Sequence, residues 1–347
     1  MADRYVVVYI DEDAEAAAEY ARLLENQFDV AVLPPRGDLG FVSEILHSKK
    51  PDLVLLDFDL HALVGYNAPT VAGTIRGKRP DLPIVVFSQM LAAESPGSPS
   101  WQEFNATEYL FDWRLDKRAF SIGGSAPAIR VIDALAEGYK RTRLSFARAR
   151  DNHKAVLRLL GLDEDVDGTA TDAEASTKDD SGNYLPYRFA RRIIHGLLRF
   201  PGTLLDEKHA AVYLGVQPGQ VELDKLLEGA EYCGVFAGLT GVKHYWRRRL
   251  DCLDVAALGR LKPTECAVCG TLAHVVCDVC GDCFDVAHTV GVRRTDAPSG
   301  LEFGRVCGIC LGGELPARLV VPAPSEGLAH EVVAEVERLL SQIEHRG

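Results

Sequence analysis

The N-terminal third of the chain alternates short apolar runs with segments of helical periodicity. Continuous runs of branched apolar residues are typical of strands that are buried on both faces. Tyr5–Ile10 has this character; Asp29–Leu33, Leu53–Leu56 and Ile84–Phe87 are predicted as further short strands, and Tyr109–Trp113 is a candidate fifth. Helical patterns lie between them, over Ala14–Gln27, Phe41–His47 and residues 70–76. This alternation predicts a doubly wound α/β fold with a parallel sheet, whose functional residues lie at the carboxyl ends of the strands.

Acidic and hydroxyl side chains follow these predicted strands directly. Asp11 and Glu12 come after the first strand, and Asp57 and Asp59 come after the third. Ser88 follows the fourth strand. Clustered carboxylates repel one another unless a hard cation lies among them, and Mg²⁺ prefers oxygen ligands. Such a cation neutralises charge on a transferring phosphoryl group, so the pattern suits phosphoryl chemistry.

These residues carry a resemblance to the receiver domain of bacterial response regulators, which has a flavodoxin-like fold. PDLVLLDFDL and RPDLPIVVFS are similar to its third and fourth strands, and the resemblance covers about residues 3–145. It implies that Asp57 accepts a phosphoryl group from a histidine kinase. It also implies that Asp11, Glu12, Asp57 and the carbonyl of Asp59 hold Mg²⁺, and that Ser88 senses the phosphate.

Two positions depart from the receiver pattern. His61 stands where a proline-rich turn is usual. The lysine expected after the fifth strand is displaced by an insertion over Leu91–Asn105, which makes Lys117 the candidate and leaves Asp112 nearer the expected position. Two interpretations therefore remain: an active receiver domain, or a receiver-shaped scaffold that is never phosphorylated.

The middle of the chain reads as helical and carries no catalytic constellation. Ile129–Leu160 has the pattern of one long helix that extends the receiver-like domain of residues 1–145 to about residue 161. Residues 162–183 are acidic, small and free of aromatics, which is typical of a linker or loop. An all-helical domain is predicted over 184–260, with helices over Tyr187–Phe200, Leu204–Leu214, Val221–Ala230 and Lys243–Ala257. We expect its core to contain Phe200, Tyr232, Phe236, Tyr245 and Trp246.

Seven of the nine cysteines fall inside a short C-terminal stretch with metal-ligand spacing. A Cys-x-x-Cys turn suits one tetrahedral Zn²⁺, and four ligand pairs are enough for two closed structural sites. The candidate ligands are Cys266, Cys269, Cys277, Cys280, Cys283, His288, Cys307 and Cys310. The pairs can bind their ions in sequence, or interleaved, with Cys266, Cys269, Cys283 and His288 on one ion. The short gaps between pairs favour the interleaved arrangement.

Four interleaved ligand pairs resemble RING and related treble-clef zinc modules, here over residues 261–320 with a C-terminal helix over 321–347. Val268 resembles the apolar residue with which RING ubiquitin ligases contact a conjugating enzyme, and Ile309 would contribute to the same surface. The histidine is the sixth ligand, and Leu311 stands where many ligases have a basic residue. The resemblance implies a non-covalent ubiquitin-ligase-like scaffold in a bacterial ubiquitin-like conjugation system, including antiviral defence.

Composition narrows the functions further. The net charge of −12 argues against a general nucleic-acid binder, because phosphate contacts need a basic surface. No apolar run approaches the length of a membrane span, and the N-terminus lacks a secretion signal. We therefore expect a cytoplasmic protein, a compartment in which thiolates stay reduced for zinc.

Two functions follow, and both make this chain a signalling or adaptor protein. The first is the ligase-like adaptor, whose partner is a ubiquitin-like conjugating enzyme. The alternative is a phosphorylation-controlled response regulator whose partner is a histidine kinase and whose zinc module binds protein or nucleic acid. Either function is compatible with a homodimer. The expected cofactors are two structural Zn²⁺ ions, with Mg²⁺ at the acidic site if that site is active.

Overall fold

The structure is a computed structural model that describes most of the first 253 residues and short strands beyond them. The described residues are 4–58, 60, 66–88, 104, 106–117, 125–163, 169–179, 184–199, 203–214, 216, 218–253, 261, 274–276, 283–285, 289–294, 303–307 and 319–320. They fall into two compact units. The first is built from 1–163, 171–191 and 235–241, and the second from 164–170, 192–234 and 242–347. The predicted domain boundaries stay predictions.

A five-stranded parallel sheet forms the centre of the first unit. Its strands β1 to β5 are Val6–Ile10, Asp29–Leu33, Leu53–Leu56, Ile84–Ser88 and Trp113–Asp116. They are hydrogen-bonded in the order β2-β1-β3-β4-β5, which is the order of flavodoxin-like, doubly wound folds. β3 and β4 are buried along their whole length, as their apolar runs predict. The doubly wound parallel sheet predicted from the sequence is confirmed.

Three helices connect the first four strands and begin at polar caps where the sequence supplies them. Helices α1, α2 and α3 are Ala14–Leu24, Gly40–Ser48 and Ala68–Lys78. The Asp13 carboxylate accepts hydrogen bonds from the first backbone N–H groups of α1, and the Asn67 side chain does so for α3. Each helix buries an apolar face on the sheet, and each fully buried Val, Leu or Ile side chain contributes roughly 1.5–3 kcal/mol.

The fifth strand was misplaced by the sequence pattern. β5 is Trp113–Asp116, whereas Glu108–Leu110 within the predicted strand forms a turn of 3₁₀ helix. β5 is the last strand in the order of this sheet, and three of its four residues are only partly buried. An edge strand can therefore be polar, and its residues Arg114 and Asp116 hid it from a search for apolar runs.

The predicted single helix over Ile129–Leu160 is two helices. Helix α4 is Ala126–Arg148 and helix α5 is Asn152–Leu160. Ala149 has an extended backbone, and the Asp151 carboxylate caps α5 by accepting from the Lys154 N–H at 3.1 Å. A capping carboxylate satisfies backbone donors that a continuous helix would use internally, so the chain breaks here.

Later segments of the chain also belong to the first unit, and aromatic residues from two of them pack on α4. Helix α6, Thr169–Thr177, lies inside the acidic stretch predicted as linker or loop, and helix α7 is Pro186–Arg192. The Phe146 ring of α4 contacts the rings of Tyr184 and Phe189. The Phe236 ring packs against Tyr139 of the same helix. Phe236 therefore belongs to this core, although the sequence placed it in the helical domain.

The second unit contains a small sheet, so the prediction of an all-helical domain is wrong. β6 is Leu204–Asp206 and β7 is His244–Trp246; they pair antiparallel, and each is followed by a short helix. The chain enters the unit through a π-helical turn and continues through helices α8, α9 and α10. These elements are Ile193–Leu197, Glu207–Tyr213, Val221–Leu227 and Arg247–Asp251. Strands of three residues are too short to show a period of two, which is why they read as helix.

Short strands are described in the C-terminal region, with backbone pairing alone. β8 to β12 are His274–Val276, Cys283–Asp285, Thr289–Arg294, Phe303–Cys307 and Leu319–Val320. Cys283 and Cys307 lie on strands, and the other six candidate zinc ligands, with Val268, Ile309 and the predicted C-terminal helix, lie outside the described residues. Among the described helices, none combines the length and apolar character that crossing a membrane requires.

We expect Gly138→Ala to destabilise the protein. A Cβ at this position in α4 would overlap the buried Phe236 ring, so the expected loss in the free energy of unfolding is about 1–3 kcal/mol. Gly73→Ala in α3 is the matched control, since its Cβ would meet nothing within 4 Å, and it should stabilise by up to about 1 kcal/mol. Urea denaturation measures both, and an equal gain in the two variants would contradict the packing of Phe236 on α4.

Candidate functional site

A buried ion pair joins three strand ends at the carboxyl edge of the parallel sheet. Asp11 follows β1, Asp57 follows β3 and Lys117 follows β5. The Lys117 Nζ atom lies 2.8 Å from Asp11 Oδ2 and 3.0 Å from Asp57 Oδ2. The structure therefore brings together two predicted acidic residues and the predicted lysine, which are far apart along the chain.

Burial makes this ion pair electrostatically strong. Asp11 is 0% exposed, Asp57 6% and Lys117 8%. Burial by itself lowers the pKa of Lys117, but the carboxylates of Asp57 and Asp11 outweigh it and hold the pKa above the usual lysine value. Lys117 is therefore a stable cation at neutral pH, and it compensates carboxylates that have little access to water.

Tyr9 is a member of this site that sequence reasoning missed. Its hydroxyl donates a hydrogen bond to Asp11 Oδ2, while Asp11 Oδ1 accepts the Asp13 N–H at 2.9 Å. Burial and the Asp11 carboxylate raise the pKa of Tyr9, so its phenol stays protonated and acts as a donor. The available signal was the spacing, since residues two apart on a strand face the same side of the sheet.

Ser88 and two aromatic rings lie beside the end of β5 and Lys117. Ser88 is buried at the end of β4 and pairs in register with Asp116, the residue before Lys117. The Lys117 ammonium lies 5.8 Å from the centroid of the Phe87 ring and 6.0 Å from that of Tyr9. Rings at this distance stabilise a cation, so they help to retain the ammonium between the carboxylates.

The donor set suits Mg²⁺, although the carboxylates now bind Lys117. Glu12 is partly buried, and its Oε2 atom has no hydrogen-bond partner within the described part of the chain. Carboxylate oxygens are the ligands that Mg²⁺ prefers. Among the described residues, no group of three or more His, Cys, Asp or Glu side chains is arranged to hold a metal ion. The residue types fit Mg²⁺, but an ion that binds the Oδ2 atoms of Asp11 and Asp57 would have to displace the Lys117 ammonium. Asp59, the remaining predicted ligand, lies outside the described residues.

Asp112 lies at the opposite edge of the sheet, in a separate charged cluster. It precedes β5, and its carboxylate accepts hydrogen bonds from Arg76, from the Tyr139 hydroxyl at 2.6 Å and from the Ile84 N–H at 2.7 Å. The Arg191 Nε atom lies 3.6 Å away. Burial opposes ionisation of Asp112, but the two arginines hold the pKa of its carboxyl below the usual range. This cluster ties α3, α4 and α7 to the sheet.

Solved response regulators are similar to the N-terminal part of this chain. One is a LuxR-family two-component response regulator from Aurantimonas sp. SI85-9A1, with 20% identity, a TM-score of 0.30 and coverage of 39% of this chain and 87% of that one. Another is the isolated REC domain of RcsB from Salmonella enterica serovar Typhimurium, with 15% identity, a TM-score of 0.29 and coverage of 38% and 88%. A response regulator from Desulfuromonas acetoxidans has 15% identity, a TM-score of 0.28 and coverage of 37% and 97%.

These likenesses are too weak to carry the fold assignment, which rests on the strand order described above. No protein-family model matches the chain, and no curated protein is significantly similar to it. The strand order gives the first unit a flavodoxin-like fold. Folds of this kind have many functions, so the function depends on the residues of the site.

We expect Lys117→Met to destabilise the protein by about 3–5 kcal/mol at neutral pH, because two buried carboxylates lose their counter-charge. Urea denaturation at neutral pH measures the loss.

Lys154→Met is the matched control for this variant. The Lys154 side chain is 74% exposed and its Nζ atom lies 3.9 Å from Asp151, so the change should stay within about 0.5 kcal/mol. A Lys117→Met deficit as small as that of the control would show that the buried ion pair contributes little.

Proposed function

We propose that this chain is a phosphorylation-controlled regulator in which Asp57 accepts a phosphoryl group. The observation that carries the proposal is the Lys117 ammonium, held 3.0 Å from Asp57 and 2.8 Å from Asp11 at the carboxyl edge of the sheet. Functional sites of doubly wound folds lie at this edge. A buried cation beside a carboxylate is also what a carboxylate nucleophile needs in order to approach an anionic phosphoryl group.

In the proposed reaction the Asp57 carboxylate is the nucleophile. One of its oxygens forms a bond to phosphorus while the bond from phosphorus to the donor, such as a phosphohistidine nitrogen, breaks. The electron pair of that bond leaves with the donor, which takes up a proton, and the product is an aspartyl phosphate. Mg²⁺, when held by Asp11, Glu12, Asp57 and the Asp59 carbonyl, supplies neutralisation of charge on the transferring phosphoryl oxygens.

Lys117 and Ser88 have separate tasks in this proposal. Lys117 leaves Asp11 and pairs with the new phosphoryl group, so its position reports whether Asp57 is modified. Ser88 ends the strand beside β5, and its hydroxyl can donate a hydrogen bond to a phosphoryl oxygen on Asp57. Movement of these two side chains changes the surface around the ends of β4 and β5, which provides the regulatory output.

For the C-terminal region we propose a zinc module with two structural ions that serves the output of the regulator. Its support is the ligand spacing, together with strand pairing that places Cys283 opposite Val276 and Cys307 opposite Thr289. Cys277 therefore follows directly on a strand that is paired with the strand of Cys283. The acidic site favours the regulator over the ligase-like scaffold, which stays a prediction because Val268 and Ile309 lie outside the described residues.

We expect Mg²⁺-dependent phosphorylation of the full chain by acetyl phosphate, with one phosphoryl group per molecule. Intact-mass spectrometry should show the added group, and hydroxylamine should remove it because an acyl phosphate is labile to that nucleophile. Asp57→Asn should abolish labelling, since it removes the attacking oxygen.

The matched control for phosphorylation is Asp29→Asn. Asp29 is exposed at the start of β2, at the opposite edge of the sheet, so its variant should be labelled like the wild type. Absence of labelling in the wild type at saturating donor, or equal labelling of Asp57→Asn, would remove phosphorylation at Asp57 from the proposal.

We expect two zinc ions per chain, measured by inductively coupled plasma mass spectrometry. Double substitution of Cys266 and Cys283 by Ser separates the two pairing schemes. Interleaved pairing places both residues on one ion, so one zinc is retained; sequential pairing places them on different ions, so both are lost. The double Ser variant of Cys233 and Cys252 is the control, because these exposed thiols lie outside the ligand set. A wild-type chain without zinc would contradict the module.

A further inference from the structure

Asp11 shares one carboxylate oxygen between two donors. Its Oδ2 atom accepts a hydrogen bond from the Tyr9 hydroxyl and also lies 2.8 Å from the Lys117 ammonium. Its Oδ1 atom accepts the Asp13 N–H at 2.9 Å. A carboxylate offers about four lone-pair positions, so three of them are already engaged by donors of the chain. Because Asp11 is fully buried, these donors replace water rather than add to it.

The position of the Tyr9 hydroxyl is set by the sheet. Tyr9 lies in β1 and is paired in register with Val32 on one side and Leu55 on the other. Its ring meets the Phe87 ring edge to face, with centroids 5.5 Å apart, and it is 0% exposed. A side chain packed in this way cannot turn to release Asp11 at little cost. The hydroxyl is therefore a rigid donor, whereas the flexible Lys117 side chain can withdraw.

A divalent cation has to compete with this rigid donor. To bind Asp11 through Oδ2, the cation must displace the hydrogen bond from Tyr9 as well as the Lys117 ammonium. A hydrogen bond to a charged group is among the stronger ones in proteins, so its loss opposes cation binding. Lys117 can instead move to a phosphoryl group, but Tyr9 has no such second position in the packed sheet.

We propose that Tyr9 is a positioning residue that weakens the binding of divalent cations at the acidic site by holding Asp11 on Lys117. The inference rests on the proposed function for the identity of the cation, and it adds a residue that controls how readily the site is loaded. Tyr9 keeps Asp11 paired with Lys117 until the cation concentration is high enough to displace the hydrogen bond from Tyr9 to Asp11.

The test is calorimetric titration of the full, zinc-loaded chain with MgCl₂. Tyr9→Phe keeps the ring and removes the hydroxyl, so it should bind Mg²⁺ about tenfold more tightly than the wild type, with the same stoichiometry. Tyr5→Phe is the matched control: Tyr5 precedes β1 at the opposite end of that strand and its hydroxyl donates to the Glu137 carboxylate, so loss of this hydroxyl should leave the affinity for Mg²⁺ unchanged. Asp11→Asn should lose this binding.

Unchanged or weaker Mg²⁺ binding by Tyr9→Phe would overturn the inference. If the wild type is labelled at Asp57 in that case, the proposed function stands without this role of Tyr9. If no variant binds Mg²⁺ and Asp57 is not labelled, both the inference and the proposed function fail.

A second measurement serves if Tyr9→Phe does not fold. The chain carrying 3-fluorotyrosine at position 9 alone should show a shift of its fluorine resonance when Mg²⁺ saturates the site, because the hydroxyl loses its acceptor. An unchanged resonance at saturation would show that the cation leaves the hydrogen bond from Tyr9 to Asp11 intact, and it would also overturn the inference.

Discussion

The ion pair between Lys117 and two buried carboxylates is the interaction on which the site depends. Asp11 and Asp57 follow adjacent strands, and a parallel sheet places both at one edge. Two carboxylates in a poorly hydrated site repel each other strongly, so the sheet edge needs a cation of some kind. In this structure the cation is the Lys117 ammonium, at 2.8 Å and 3.0 Å. A divalent cation bound here would supply such positive charge, and a phosphoryl group on Asp57 would require it.

Buried charges are compensated differently at the amino ends and at the carboxyl ends of the parallel strands. At one edge Asp112 is held by Arg76 and Arg191, whose guanidinium groups belong to two helices. This cluster is fully satisfied, and it binds those helices to the sheet. At the carboxyl ends of the strands the counter-charge is Lys117, which follows the edge strand β5. Among the described residues, the Oε2 atom of Glu12 has no hydrogen-bond partner. The first arrangement holds its carboxylate with two arginines, whereas in the proposed function the second contains groups that exchange partners.

Much of the fold could be predicted, and the failures have physical causes. Buried strands such as Leu53–Leu56 and Ile84–Ser88 are apolar throughout, so their pattern identifies them. The edge strand Trp113–Asp116 can be partly polar, because three of its four residues are only partly buried. The strands Leu204–Asp206 and His244–Trp246 are only three residues long, so their alternation of polar and apolar residues cannot be detected. Pattern reasoning works where burial is extensive and fails where an element is short or exposed.

The candidate site shows the same division. The sequence by itself determined the acidic residues Asp11 and Asp57, because each follows a short apolar run with the branched residues typical of a buried strand. It also suggested Lys117, but it placed the preceding strand too early and left Asp112 as a rival. The tertiary structure alone decided that Lys117 meets both carboxylates and that Tyr9 binds Asp11. Contacts between strand ends depend on strand order and register across the whole sheet, which no single segment of the chain specifies.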